Sequence, residues 1–240
     1  MSSHCVEKII HEECGGDDLQ VFEEDGKYTG YCFNCDTYIP SPYGEKGPPP
    51  KKRFKTKTPE QIAEEIEEIK SYPVVDIPDR KLKSWALDYF GVKVGLSEVD
   101  GATPTTMYYP YEGGYKVRLL EHKKFWALGD IKKGKLFGWK QALGTGGKKL
   151  FITEGENDAI ALFQALVDKQ RGSKWEHLRP AVVSLRSGAS GAEKEIRECL
   201  SDIKANFKEV VLVFDMDDPG EDAAQKILKI LPTATRSSLP

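Results

Sequence analysis

The chain has 240 residues, 39% hydrophobic and 30% charged, with a formal net charge of −3. That length and balance exclude a disordered polymer and leave room for one large or two ordinary domains. No run of about 18 apolar residues occurs and the opening MSSHCVEK lacks a signal-peptide core, so no membrane span and a cytoplasmic location with reduced thiols are expected.

Residues 1–42 hold four of the five cysteines, and residues 1–30 carry eight acids against two lysines. The spacing is His11-x2-Cys14, then 17 residues, then Cys32-x2-Cys35. Two short-spaced ligand pairs on two knuckles suit tetrahedral structural zinc. Between them LQVFEEDGKYTGY reads as two strands around Asp25-Gly26, a favoured hairpin turn that would bring the knuckles together. Cys5 is an alternative to His11, but its eight-residue gap to Cys14 fits a knuckle badly. A module this small has too little core to fold without the metal. Its acidity argues against phosphate clamping. Any nucleic-acid contact would go to bases, through rings such as Tyr28 and Tyr31, whose other reading is packing over the zinc site.

Residues 43–58, YGEKGPPPKKRFKTKT, read as a flexible basic linker stiffened by Pro48-Pro49-Pro50. Residues 59–147 read as an α+β subdomain. Thr58 as N-cap and Pro59 at the first helical position start a helix through TPEQIAEEIEEIKSY. DRKLKSWALDYFGV predicts a second short helix closed by Gly91, and TTMYYPYEGGYKVRLL a hairpin turning at Gly113-Gly114. Residues 115–150 carry ten Lys/Arg against two acids, which suggests a polyanionic partner. Within them KKGKLFGWK, 132–140, mixes lysines with aromatics as single-strand binders do. A β-hairpin with Phe137 and Trp139 in the core accounts for those rings better.

From Lys148 the pattern becomes strand–helix repeated three times, which implies βαβ units and a parallel sheet over 148–240. The fold class is therefore α/β, with an α+β subdomain before the parallel sheet and a small zinc-ribbon β domain at the N-terminus. Functional residues of open α/β sheets sit at the carboxyl ends of strands. Glu154, in KKLFITEGENDA, stands at such an end. Glu156 and Asp158 fall in the first turn of the following helix, where the helix dipole also favours acids. At the end of VVLVFDMDDPG, Asp215 and Asp217 are spaced i, i+2, so their carboxylates can converge on one cation, with Mg²⁺ or Mn²⁺ the fitting choice for oxygen ligands. Asp218, before Pro219, reads as the N-cap of the last helix.

TEGENDA, VVSLRSGAS and VFDMDDPG together resemble the TOPRIM domain of DnaG-type primases, topoisomerases and some nucleases. With the zinc knuckles, the basic linker and YKVRLLEHKKFWALG, the chain resembles the primase half of bacteriophage T7-type primase-helicases. That resemblance implies synthesis of short RNA primers on a single-stranded DNA template from ribonucleoside triphosphates. The zinc domain would help to select the template sequence. By resemblance Glu154 is a metal ligand or acid–base group, and Asp215 and Asp217 are the metal pair. Glu156 and Asp158 are further acids of the first motif. Lys116 and Lys123 (or Lys124, since the alignment slips by one) bind nucleotide phosphates or template, with Arg118 beside them.

Two departures stand out. The family has Cys-x2-Cys at the first knuckle where this chain has His11-x2-Cys14. Family members also continue beyond the point matching SSLP into another acidic motif and a RecA-like helicase, so a C-terminally truncated TOPRIM domain is expected. The helicase domain and a replicative DNA polymerase are the implied partners. No GxxxxGK[ST] motif is present, which excludes a P-loop motor in these residues. The alternatives are a RecR-like zinc/TOPRIM recombination mediator, a TOPRIM nuclease, and a template-binding module without activity.

Overall fold

The computed structural model describes residues 4–44, 47–48, 57–122 and 124–237. The chain divides into two compact units between Thr56 and Lys57. Most of the 43–58 linker lies outside the described residues, as does Lys123.

The first unit is an antiparallel meander of β1 (His4–Ile9), β2 (Leu19–Glu24), β3 (Lys27–Cys32) and β4 (Thr37–Ile39). Asp25 and Gly26 form the β2–β3 turn with φ of 49° and 77°. Two successive left-handed residues match the strand twist, as in a type I′ hairpin. Alternation puts Leu19 and Val21 inside, and with Cys32 they are the buried apolar residues of this unit. Burying three such side chains stabilises by roughly 1.5–3 kcal/mol each, far too little to offset the ordering of about forty residues.

The second unit holds two sheets. In the antiparallel one, β5 (Lys93–Leu96), β6 (Pro104–Tyr111), β7 (Gly114–Leu119) and β8 (Phe125–Gly129) lie side by side in chain order. The turn residues are Glu112 and Gly113, since Gly114 already pairs with Tyr111. The turn is thus one residue earlier than the sequence pattern suggests. Helix α1 (Pro59–Lys70) begins as expected, with a reciprocal capping box between Thr58 and Gln61. Helix α2 (Ser84–Phe90) is shorter than predicted. A 3-10 turn at Pro78–Arg80 ends on Lys81 at φ 54°, and this left-handed residue prevents continuous helix. KKGKLFGWK is not a hairpin. It forms a 3-10 turn at Ile131–Lys133 and the start of α3 (Trp139–Gly144), while Phe137 bridges to Ser184. Its rings are core all the same: Phe137 is 1% and Trp139 8% exposed.

The parallel sheet has the order β10-β9-β11-β12, formed by β9 (Lys149–Thr153), β10 (Ala181–Ser184), β11 (Glu209–Val213) and β12 (Ala234–Arg236). Helices α4 (Glu156–Gln170), α5 (Ala192–Asn206) and α6 (Asp218–Ile230) connect the strands. The period of two divides the faces. Leu150, Ile152, Val183, Val210 and Leu212 pack with α5 and α6, whereas Val182 faces α4. Helix α4 is covered in turn by α2 and by β5 and β6, through Phe163, Phe90, Met107 and Tyr109. Truncating Phe90 or Phe163, both 1% exposed, to alanine should cost about 3–5 kcal/mol. This layering lays the antiparallel sheet over α4, whose first turn sits beside the carboxyl ends of β9 and β11.

Candidate metal and nucleotide sites

In the first unit, ligand atoms of His11, Cys14, Cys32 and Cys35 all lie within 4.8 Å of one another. His11 Nδ1 is 3.2 Å from Cys14 Sγ and 3.3 Å from Cys35 Sγ, and the Cys14 and Cys32 sulfurs are 3.7 Å apart. A zinc tetrahedron with bonds of about 2.0–2.3 Å has edges of about 3.3–3.8 Å, so these residues fit zinc well. A disulfide needs a separation of about 2.05 Å, which excludes a bridge at 3.7 Å. The two knuckles share a build. Gly15 (φ 69°) and Asp36 (φ 52°) each follow the second ligand of a pair in left-handed conformation, and each turns the chain back around the site. The Gly16 N–H points at Cys14 Sγ at 3.4 Å. Cys5 stands apart, its thiol directed to the Glu7 carbonyl, so the histidine belongs to the set and Cys5 does not. Tyr28 packs edge-on to Tyr43 and Tyr31 edge-on to Phe33, and both tyrosines are half-buried.

In the second unit, β9 and β11 pair directly, with Thr153 opposite Val213, so both strands deliver their acids to one edge. Glu154 Oε1 accepts the Asp215 N–H at 2.9 Å and ties the two strand ends together. Burial, reinforced by the charges of Asp215 and Asp217, raises the Glu154 carboxyl above its ordinary range. Burial followed by the Asp215 charge does the same to Asp158, although Asp158 as a whole is solvent-exposed. Asp215 and Asp217 are exposed.

The aspartates divide differently from the sequence expectation. The N-cap of α6 is Asp217, whose Oδ1 accepts the Gly220 N–H at 2.8 Å, while Asp218 is already in the helix. The extended backbone at Asp217, with φ −105° and ψ 170°, is what a cap requires, and Pro219 then occupies the second helical position. One Asp217 oxygen therefore holds the helix, and the residue as a whole is exposed. Gly220 permits this convergence. A Cβ there would lie 2.3 Å from the Asp215 carbonyl oxygen, 2.6 Å from Glu154 Oε1 and 3.0 Å from Asp217 Oδ1. An all-oxygen donor set with free lone pairs on Glu154, Asp215 and Asp217 fits a hard divalent cation. Among the described residues the His/Cys set is the group of three or more such side chains gathered closely enough to hold an ion, and Glu154, Asp215 and Asp217 are not gathered to that degree.

Glu156 and Lys116 have another occupation. Glu156 is 3% exposed, and its carboxylate receives Lys116 Nζ at 2.8 and 3.0 Å and the Tyr111 hydroxyl at 2.6 Å. Lys116 Nζ gives its remaining proton to the Arg186 carbonyl at 2.7 Å. With all three donors engaged, Lys116 braces β7 against α4 instead of offering an open ammonium, and Glu156 is neither a free acid nor merely a partner of the helix dipole. Arg118 is half-buried with its guanidinium over the Phe125 ring at 4.9 Å, and Lys124 is exposed.

Two arginines of the site carry no signal in the sequence pattern. Arg236, on β12, donates to the Asp215 carbonyl at 3.0 Å and the Gly220 carbonyl at 3.1 Å, and pairs with Glu221 at 2.7 Å. It holds the backbone of the aspartate turn from below. Arg186, after β10, donates to the carbonyls of Lys132 and Gly134 at 2.6 and 2.7 Å and pairs with Glu198 at 3.1 Å. The buried Glu195 accepts the N–H groups of Arg186 and Ser187 at 2.7 and 3.0 Å. Only long-range pairing reveals such roles, because each lone arginine reads as a surface charge in its own segment.

A family model, a relative and a solved structure are similar to this chain. Residues 149–237 match the family model described as Toprim domain. A DNA helicase/primase of Enterobacteria phage T3 is 34% identical over 112 residues, spanning 46% of this chain and 17% of that relative's length. A crystal structure of a DNA primase domain from Pseudomonas aeruginosa aligns at a TM-score of 0.45 with 16% identity, over 75% of this chain and 70% of that one. Residues 149–237 thus match the Toprim domain, and 112 residues of the chain are similar to a phage DNA helicase/primase of whose length they span about a sixth.

Proposed function

We propose that this chain is the priming part of a phage replication protein, making short RNA primers on single-stranded DNA by metal-dependent nucleotidyl transfer. The observation that carries this reading is the meeting of Glu154 with Asp215 and Asp217 at adjacent parallel strand ends, fixed by the 2.9 Å bond from the Asp215 N–H to Glu154. Asp215 and Asp217 would hold the divalent ion, Mg²⁺ or Mn²⁺, with Glu154 as a further ligand or as acceptor of a proton. When bound, the ion neutralises triphosphate charge and makes the attacking 3′-hydroxyl more acidic. Burial raises the Glu154 carboxyl above its ordinary range, which makes it a stronger base than an ordinary glutamate. Arg118 and Lys124, with Lys123, supply positive charge for triphosphate and template. Lys116 acts through Glu156, positioning the sheet that carries Arg118.

The zinc unit, through His11, Cys14, Cys32 and Cys35, would assist selection of the template sequence. A helicase domain elsewhere in the parent protein and a replicative polymerase would be its partners, in the host cytoplasm. Among the described residues no helix is long and apolar enough to cross a membrane.

The test is primer synthesis from ribonucleoside triphosphates on single-stranded DNA with Mg²⁺, wild type against Asp215→Asn. Loss of synthesis is expected in the variant, and equal synthesis by both proteins would overturn the metal assignment. Cleavage of labelled duplex without synthesis would favour a nuclease. DNA binding with neither activity would favour a RecR-like mediator.

A further inference from the structure

The face of the antiparallel sheet that looks at α4 carries Tyr109, Tyr111, Lys116 and Arg118. Tyr109 pairs with Lys116 across β6 and β7, and Met107 with Arg118, so these side chains share one side. Tyr111 and Lys116 are committed to Glu156. The next residue of the helix, Asn157, is held differently. The Tyr109 hydroxyl donates to its Oδ1 at 2.7 Å. That bond uses the acceptor of the amide and turns its NH2 group the other way. Asn157 Nδ2 is buried and has no hydrogen-bond partner, and neither has the buried Nε of Arg118. Buried donors of this kind are costly when left without an acceptor. Two of them, on the polar layer between β7 and the first turn of α4, are unusual for a packed interface.

Their chemistry is one-sided. Asn157 with its oxygen occupied presents N–H only, and a guanidinium has no acceptor. A ligand satisfying both must be an acceptor, and the guanidinium favours an anion. Asp158, one residue on, already sets its negative charge against Arg118, so a free carboxylate side chain gains little there. An oxyanion already accompanied by a divalent ion meets that acid without penalty.

We propose that Asn157 and Arg118 form a donor-only subsite for a phosphate group of the nucleotide, beside the acidic strand ends, with Tyr109 as the residue that orients the amide. This rests on the nucleotidyl-transfer reading above. It adds an uncharged side chain that the basic stripe does not contain.

The test is a calorimetric titration of the full chain with inorganic tripolyphosphate, with and without Mg²⁺, which needs no catalysis. Asn157→Asp keeps the shape but places an acceptor and a charge where the donor was, and should weaken binding about tenfold or more. Asn157→Ala should weaken it several-fold, and is the check if the aspartate variant fails to fold. Tyr109→Phe should give an intermediate loss, because the amide is then free to turn. Where primers are made, the Asn157 variants should raise KM for the nucleotide more than they lower kcat. Wild-type affinity in both Asn157 variants, or no tripolyphosphate binding by the wild type, overturns the subsite. Primer synthesis by the wild type is scored separately, so failure of the priming reading and failure of this subsite are distinguishable.

Discussion

Lys116 Nζ stands 2.8 and 3.0 Å from the two carboxylate oxygens of Glu156, a pair whose side chains are 17% and 4% exposed. The pair joins β7 to the first turn of α4. Removing one member leaves the other buried and unmatched, so Lys116→Met or Glu156→Gln should each cost about 3–5 kcal/mol. The double variant should cost clearly less than the sum of the two. Denaturant unfolding of the four proteins measures this coupling, and additive losses would show that the bridge contributes nothing.

Arg236 reaches the aspartate turn through its backbone, at the carbonyls of Asp215 and Gly220, and so carries that turn. Arg236→Met should loosen residues 215–220, weaken Mn²⁺ binding several-fold, and destabilise the fold by about 1–3 kcal/mol. Arg236→Lys should recover only part of this, because an ammonium cannot reproduce a fork reaching two carbonyls and a carboxylate. Mn²⁺ titration followed by electron paramagnetic resonance separates the effect on ion binding from that on stability.

The chain should carry one zinc ion. Cys14→Ser, Cys32→Ser and His11→Ala should each lose it, and Cys5→Ser should keep it. Replacing zinc by Co²⁺ should give absorption bands of a three-sulfur, one-nitrogen tetrahedral site. Chelation should unfold residues 4–44, since their apolar core is too small to persist alone. Equal zinc content in the Cys5 and Cys32 variants would refute the ligand set.

Asp76 supplies an acid-dependent contribution to stability. It accepts the Ser84 N–H at 2.8 Å and pairs with Lys83 at 3.0 Å, thereby capping α2 from a distance. The Ser84 backbone bond foremost, and then Lys83, hold its carboxyl down at about 2 against an ordinary 3.8. The folded state therefore binds this proton less readily than the unfolded chain. The stabilisation is complete above about pH 4 and is lost as the pH falls through 2. Asp76→Ala should flatten the stability profile between those values and leave its slope at neutral pH unchanged, as read from unfolding midpoints across the acid range.

Where short-range pattern governs, the chain is legible. The βαβ alternation after Lys148, the Asp25-Gly26 hairpin and the Thr58 cap all follow from local periodicity and turn chemistry. The placing of Glu154 and Asp215 beyond strand ends follows in the same way, because strand ends can be read from the apolar run before them. The misassigned features depend on what lies across space. Asp217 and not Asp218 caps α6, a choice set by the extended backbone where the chain leaves β11. Residues 132–140 mix apolar and basic side chains in a way that fits several local structures, and the partner that decides is Ser184 of β10. Arg186, Arg236 and the Tyr109–Asn157 bond are visible only once distant strands are side by side.

In the parallel sheet β9 lies between β10 and β11, and the bond that joins the two acid-bearing strands spans 61 positions of sequence. During synthesis β9 and β10 can pair first, while the other edge of β9 stays open with its backbone groups unpaired. The acidic site then does not exist in any form, because half of it has yet to leave the ribosome. Docking of β11 closes that edge and brings Asp215 and Asp217 to Glu154 in the same event. If these acids hold the ion as proposed, a deletion that removes β11 should abolish ion binding altogether instead of halving it.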